Sequence, residues 1–138
     1  MALSANREVK FYASQELVDL PVDDNVTIYK GAFVGINAST GYARPLTAGD
    51  DFTGVAYAQA DNTISGHAAA GINARLHQNV DIVHTLAGVA ATDIGSVVYA
   101  SDDGTLTLTA SGNSRVGRIV AIEGTNLVRV RCQPIAST

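Results

Sequence analysis

The chain has 138 residues, with thirteen acidic and nine basic side chains and a formal net charge of −4. Charged residues make up 16% of it, below the ~25% usual for soluble domains, and its length corresponds to one domain. The basic residues are scattered from Arg7 to Arg131, whereas binding to nucleic-acid phosphates needs clustered Lys and Arg. We therefore expect a single domain with no direct nucleic-acid partner.

The sequence shows no signal for export or for a membrane. The first twelve residues lack the apolar core of a signal peptide, and no apolar run approaches the roughly 20 residues of a membrane span. Cys132 is the only cysteine, which excludes an intrachain disulfide and suits a reducing cytosol. It lies in phase with Val128 and Val130, so we expect a small buried hydrophobic residue. These features predict a protein made in the cytoplasm, with no membrane partner.

Residues 1–25 are predicted to form an N-terminal arm or extension before a single β domain of residues 26–138. Such a segment is either a frayed end or an extended arm that adds to the sheet edge of a neighbour. The arm is supported by apolar residues that a solvated tail would not need. The predicted protein-interface residues are therefore Leu3, Val9, Phe11 and Tyr12.

Helical signals are weak and short. Residues 14–20 (SQELVDL) could form one or two turns, with Ser14 as the N-cap and Pro21 as the stop. This length is marginal for a stable helix. Residues 66–72 contain helix formers flanked by glycine, and residues 85–95 could contain a turn.

Strand signals dominate the remainder of the chain. Residues 26–36 and 51–60 read as strands, and residues 72–83 read as one long bent strand or two short ones. Two hairpins follow, the first with arms at residues 95–101 and 105–110, and the second over residues 115–132. Gly104 and the EGTN stretch (residues 123–126) are expected to supply positive φ at the hairpin turns.

Alternation between apolar and polar residues defines the buried faces. Val128 and Val130 share one face, opposite Arg129 and Arg131, and the TLTLT stretch places Leu106 and Leu108 on one face. Together with turn signals every 8 to 15 residues, this pattern predicts an all-β fold. We expect an antiparallel β-sandwich or jelly-roll-like barrel with an extended N-terminal arm.

No residue set predicts catalysis, a metal or a cofactor. His67, His77 and His84 have no metal-ligand spacing, and we expect surface or strand positions for them. The adjacent acidic pairs, at residues 23–24, 50–51 and 102–103, are expected at turns. Since a nucleophile, a base and an oxyanion site are all needed for hydrolysis or group transfer, we do not expect an enzyme.

The C-terminal two thirds resembles a known family. GDDFTGVAYA (residues 49–58) is a Gly-Asp turn leading into a strand with a GVA step. TDIGSVVYASDDGTLTLTASGNSRVGRIVAIEGTNLVRVRC (residues 92–132) has the order G-x-x-V-Y, D-G, T-L-T, V-G-R-I-V and a final alternating strand. This order, over residues 49–132, resembles the small capsid decoration (cement) proteins of tailed bacteriophages.

The resemblance implies a β-sandwich on the outer surface of an icosahedral head, made in the host cytoplasm. It implies that the partner is the major capsid protein, whose neighbouring subunits the protein would clamp against the pressure of packaged DNA. It also implies self-association, with a homodimer favoured and a homotrimer possible. The alternatives are a virion-surface β-sandwich that binds carbohydrate or a host receptor, and a small β-barrel enzyme.

Overall fold

A computed structural model describes residues 2–11 and 16–134 of the chain. This part of the chain is almost entirely antiparallel β-structure, with one short 3-10 turn at Ala91–Asp93. The strands are β1 (Lys10–Phe11), β2 (Glu16–Pro21), β3 (Thr27–Ile28), β4 (Phe33–Ile36), β5 (Ala43–Pro45), β6 (Asp51–Ala56), β7 (Ala60–Asp61), β8 (Asn73–Gln78), β9 (Val80–Thr85), β10 (Val97–Asp102), β11 (Thr105–Thr107), β12 (Ser114–Gly124) and β13 (Leu127–Cys132). The predicted all-β sandwich is confirmed.

The first sheet has six strands in the order β1-β9-β13-β12-β10-β11. Both predicted C-terminal hairpins are present in it, as β10–β11 and β12–β13. Val128, Val130 and Cys132 are buried as predicted, because alternate side chains of a strand point to the same face. Leu106 is also buried, but Leu108 is 39% exposed because β11 ends at Thr107.

The second sheet has five strands in the order β2-β8-β6-β4-β5, and its central strands β4 and β6 are largely buried on both faces. Phe33, Phe52 and Val55 pack with side chains of the first sheet in the main core. Val34 and Leu76 lie in a second core with other apolar side chains, including Ile28 and Ala60 of the two-stranded β3–β7 ribbon. The molecule is therefore a sandwich with an extra thin layer over the outer face of its second sheet.

Residues 16–21 correct two predictions made from the sequence. The helix expected over residues 14–20 is wrong in its described part, because Glu16–Pro21 is the strand β2. Strand β2 pairs along its full length with β8, and Val18 and Leu20 pack on the second core while Leu17 is exposed. The β domain therefore includes residues before the predicted boundary at 26. Ser14 lies outside the described residues.

Contacts between the two sheets close one side of the sandwich. The Phe33 N–H donates to the carbonyl of Asp103 (2.9 Å), and Thr47 forms an isolated bridge with Asp102. The Gly49 N–H donates to Ser114 Oγ (3.1 Å) on the same side. On the other side, each sheet ends in a strand from the N-terminal region, β1 in one and β2 in the other. In the described residues, no helix is long and apolar enough to cross a membrane.

Candidate interaction surfaces

The N-terminal strap (residues 2–11) lies along the body of its own chain. The Leu3 N–H donates to Asp103 Oδ1 (2.9 Å), and Asn6 Oδ1 accepts the Lys30 N–H (3.1 Å). The strap then ends in β1, which pairs antiparallel with β9 at the edge of the first sheet. The strap therefore adds an edge strand, as the sequence predicted for an arm, but in this structure the sheet belongs to the same chain.

Arg7 is the strongest anchor of the strap. Its guanidinium donates to the carbonyl oxygens of Gly31 (3.1 Å) and Gly104 (3.3 Å), and it lies 5.8 Å from the centroid of the Phe33 ring. Burial lowers the pKa of Arg7, and the nearby Asp103 opposes that shift. Arg7 thus covers the Phe33 ring of the main core, and its two hydrogen bonds join the turn at Gly31 to the turn at Gly104.

The four predicted interface residues have different positions. Leu3 is half-buried against the second core and Val9 against the main core. Phe11 pairs through its backbone with Ile82, and Tyr12 lies outside the described residues. The apolar character of Leu3 and Val9 is thus explained by contacts within the chain, and a role in binding a neighbour stays a prediction.

Two titratable side chains are buried next to the strap. His84 is 4% exposed, its Nδ1 lies 2.8 Å from the Thr85 carbonyl, and its ring lies 5.2 Å from Phe33. Burial lowers the pKa of His84 to about 4, so the ring is neutral at pH 7. Asp103 is 3% exposed, and burial raises the pKa of its carboxyl group.

A second surface, the Tyr57 patch (Leu17, Asp19, Tyr57, Arg75 and His77), lies at the β2 edge. Leu17 and Tyr57 are 51% and 48% exposed, and the Tyr57 ring lies 5.1 Å from the His77 ring. Asp19 and Arg75 form a two-pronged ion pair beside them, at 2.9 and 3.2 Å. The sequence does not predict this patch, because residues 14–20 favour helical turns by local propensity.

The Tyr57 patch borders a shallow cavity of about 360 Å³. Its lining combines one aromatic ring with an acid, an amide and a guanidinium: Tyr57, Ala58, Asp19, Asn73 and Arg75. A few polar groups around an apolar surface are what a small-molecule site requires. The cavity could therefore accept a polar ligand with one flat apolar face.

The remaining candidate residues lie in separate places. His67 contacts Asp24 at the surface, and the three acidic pairs lie at turns or at the ends of strands next to turns. Asp23 accepts hydrogen bonds from Asn37 (2.9 Å) and Thr40 (3.2 Å), which together with its other bonds lower its pKa. Within residues 2–11 and 16–134, no group of three or more His, Cys, Asp or Glu side chains could hold a metal ion.

Comparisons of this chain with protein-family models, with curated proteins and with solved structures found no match. The described residues therefore offer three features for a functional argument: a strap held on its own body, an aromatic patch beside a cavity, and a rigid two-sheet framework.

Proposed function

We propose that this protein is a decoration (cement) protein of a tailed-bacteriophage head. It binds the outer surface of the assembled capsid and clamps neighbouring major capsid protein subunits, so that the shell withstands the pressure of packaged DNA. It is made in the host cytoplasm and its final location is the virion surface. The protein acts as a homodimer or a homotrimer, and no bond is made or broken.

One observation carries this proposal. The motif order of residues 92–132 resembles that of the decoration proteins, and its turns coincide with the turns of the fold. D-G lies at the β10–β11 turn, and V-G-R-I-V lies within β12. The final alternating stretch is β13, which buries Val128, Val130 and Cys132. The residues that carry the resemblance therefore build one continuous part of the first sheet.

The physical properties of the framework support the same role. A clamp must transmit force between partners, and two sheets with well-packed cores deform little. One oligomer that touches several capsid subunits gains effective concentration, so weak single contacts become strong together. Because it binds the assembled shell better than free subunits, it shifts the equilibrium towards the shell.

The direct test is stoichiometry on purified particles. We expect the chain to co-purify with intact heads in a fixed ratio to the major capsid protein. Its absence from mature heads would reject the proposal.

A truncation tests the contribution of the strap. Deleting residues 1–12 should leave a folded β-sandwich, because both cores are built mainly from residues after 16. Attachment to heads should weaken, since an arm of this kind acts where it can add to a sheet edge. Unchanged occupancy of heads by the truncated protein would remove the strap from the mechanism.

A second candidate function is supported by the Tyr57 patch. A virion-surface module that binds carbohydrate needs an exposed aromatic ring beside polar groups, and the cavity of Tyr57, Asp19, Asn73 and Arg75 provides this combination. Binding to a glycan array, abolished by Tyr57→Ala with an unchanged melting curve, would favour this function. No glycan binding by the wild-type protein at millimolar concentration would reject it.

A further inference from the structure

The outer face of the first sheet concentrates positive charge. Lys10, Arg115, Arg118, Arg129 and Arg131 pair in register with outward-facing side chains of the sheet, so five of the nine basic residues share one surface. Three acids lie with them: Asp81 and Glu123, which bind Arg131 and Arg129, and Glu8, which lies beside Val83, Thr85 and Leu127 at the β1 edge and binds Lys30. We call these five basic and three acidic side chains the basic face. Their formal net charge is +2, in a chain whose total is −4.

The strand pairing places these side chains in adjoining rows. Arg131 lies between Asp81 on β9 and Arg118 on β12, and Arg118 in turn lies next to Val97 on β10. Arg129 lies next to Val83, which also faces Lys10. Since neighbouring strands are about 4.8 Å apart, this arrangement forms a flat, continuous surface.

The ion pairs on the basic face leave guanidinium groups accessible. Arg131 donates from Nε and Nη2 to the two carboxylate oxygens of Asp81, at 2.8 and 2.9 Å. The Arg131 side chain is still 56% exposed, whereas that of Asp81 is 15% exposed. The N–H groups on Nη1 of Arg131 lie outside this pair. Because arginine has five N–H donors, it can hold one carboxylate while it binds another.

The composition of the basic face fits a protein partner better than a nucleic acid. Half-buried Val83, Val97 and Leu127 lie among the arginines, and Tyr99 pairs with Arg115. Arginine and tyrosine beside apolar side chains are typical of protein interfaces. A polyphosphate needs a dense field of available cations, whereas Arg129 and Arg131 already bind a carboxylate and the whole chain is negative.

A second copy of this chain is a poorer partner than a different protein. A twofold contact would place the basic face against itself and bring like charges together. A head-to-tail contact would need available carboxylates elsewhere on the chain. Three of the carboxylates elsewhere on the chain are already bonded internally: Asp19 to Arg75, Asp50 to Arg44 and Asp61 to Thr63.

We propose that the basic face is the surface that binds the capsid, and that its binding site there is a carboxylate-rich patch on the major capsid protein. This inference rests on the proposed function and adds to it the contacting surface and the chemistry of its partner. The Tyr57 patch, which belongs to the second sheet, then lies outside this contact.

Two arginines provide a matched pair for the test. Arg131 on the first sheet and Arg75 on the second are 56% and 55% exposed, and each makes a two-pronged ion pair with an Asp on a neighbouring strand. Arg131→Gln and Arg75→Gln therefore make the same chemical change at two equally exposed arginines. Since Asp81 is 15% and Asp19 is 46% exposed, a melting curve of each variant accompanies the binding measurement. Binding of both variants to heads purified without this protein would be measured by sedimentation at 50 and 500 mM NaCl.

We expect wild-type binding to weaken at high salt, and Arg131→Gln to lower head affinity by roughly fivefold or more at low salt. Arg75→Gln should stay within about twofold of wild type, as exposed ion pairs away from an interface contribute little. Equal effects of the two substitutions, with wild-type binding intact, would overturn the basic face as the contact and leave the proposed function standing.

Three further outcomes are informative. Arg131-dependent binding to a 30-base-pair DNA duplex at 150 mM NaCl would overturn the protein partner. A loss of oligomer mass by Arg131→Gln in sedimentation velocity would also overturn it, in favour of a second copy. If the wild-type protein does not bind heads, the proposed function fails. Binding to immobilised poly-L-glutamate would then test the basic face by itself. Retention that depends on Arg131 would support an acidic partner, and no retention would reject one.

Discussion

Arg7 covers the ring of Phe33, with its guanidinium carbon 5.8 Å from the ring centroid. Phe33 is fully buried, and its ring also contacts Phe52 edge-on at 6.2 Å and His84 at 5.2 Å. The Arg7 guanidinium of the strap thus covers one side of the main core, and two backbone carbonyls accept hydrogen bonds from it. The stability of the domain and the position of the strap are therefore linked through one side chain.

Replacing Arg7 by Ala should lower the free energy of unfolding by about 1–3 kcal/mol. The substitution removes a partly desolvated cation–π contact and two charge-assisted hydrogen bonds. Lys30→Ala is the control, because the exposed ion pair between Lys30 on the body and Glu8 on the strap is worth less than about 1 kcal/mol. Urea unfolding monitored by circular dichroism would measure both. Equal losses for the two variants would show that Arg7 does not anchor the strap.

A substitution at Gly31 would test the contact between the strap and the body. Its φ is +83°, and a Cβ there would lie 2.9 Å from Val9 Cγ2 and 3.1 Å from the Arg7 carbonyl oxygen. Gly41 has a similar φ of +79° with no atom within 4 Å of such a Cβ. Gly41→Ala should therefore cost about 1 kcal/mol, from the left-handed backbone alone.

Gly31→Ala should cost about 1–3 kcal/mol more than Gly41→Ala, because the strap must also shift. In a protein lacking residues 1–12, this extra cost should disappear and the two substitutions should become equivalent. Denaturant unfolding of the four proteins measures the difference. An extra cost that persists without the strap would place its origin elsewhere.

The C-terminal half of the fold could be predicted because its signals are local. Hairpin turns and strict alternation fix β10 to β13 over short sequence separations, and Val128 and Val130 are buried as expected. Even there, the prediction of positive φ at the two hairpin turns is only partly correct. Asn126 has a positive φ of 54°, but Gly104 does not have a positive φ. Its N–H instead donates to the Asp102 carboxylate at 2.8 Å.

Strand β2 could not be predicted because its partner is distant in sequence. Residues 14–20 contain helix formers and a capping serine, so local propensity favours a helix. Pairing of Leu17 with His77, sixty residues away, decides the outcome. Tertiary contacts of this kind routinely override propensity, and the Tyr57 patch was missed for the same reason.

The basic face could not be predicted from the sequence, because the pairing of β10 with β12 is irregular. Arg115 and Arg118 are three residues apart, so a regular strand would direct them to opposite faces. The register between β10 and β12 shifts between Val98 and Tyr99, and Arg115 then pairs with Tyr99 while Arg118 pairs with Val97. A β-bulge thus brings two cations to one side, which no reading of alternation alone reveals.

Cys132 should be inert in the folded protein. It is 1% exposed, and burial raises the pKa of its thiol far above the usual range, whereas only the thiolate reacts rapidly. Labelling by a chromogenic disulfide reagent at pH 8 should therefore be slower by a factor of about 100 or more than in urea. A cysteine introduced at the exposed Thr109, in an otherwise wild-type chain, should react at once and serve as the control. Rapid labelling of Cys132 itself would contradict the burial of its side chain in the main core.

His84 should make the domain less stable in mild acid. Its pKa is about 4 in the folded protein, against about 6.5 in the unfolded chain, so the unfolded state binds an extra proton between these values. The stabilisation is complete above pH 6.5 and is lost as the pH falls towards 4, by about 3 kcal/mol in total. Asp81 acts at lower pH, because its lowered pKa matters only below about 3.9.

Unfolding free energies measured in urea from pH 7 to pH 4.5 would test this dependence. Asp103 opposes it, since burial raises its pKa and protonation of that carboxyl favours the folded state. His84→Phe should flatten the curve in this range, whatever its absolute stability. If His84→Phe keeps the wild-type slope of unfolding free energy against pH, another group causes the acid sensitivity. The buried, neutral state of His84 would then be contradicted.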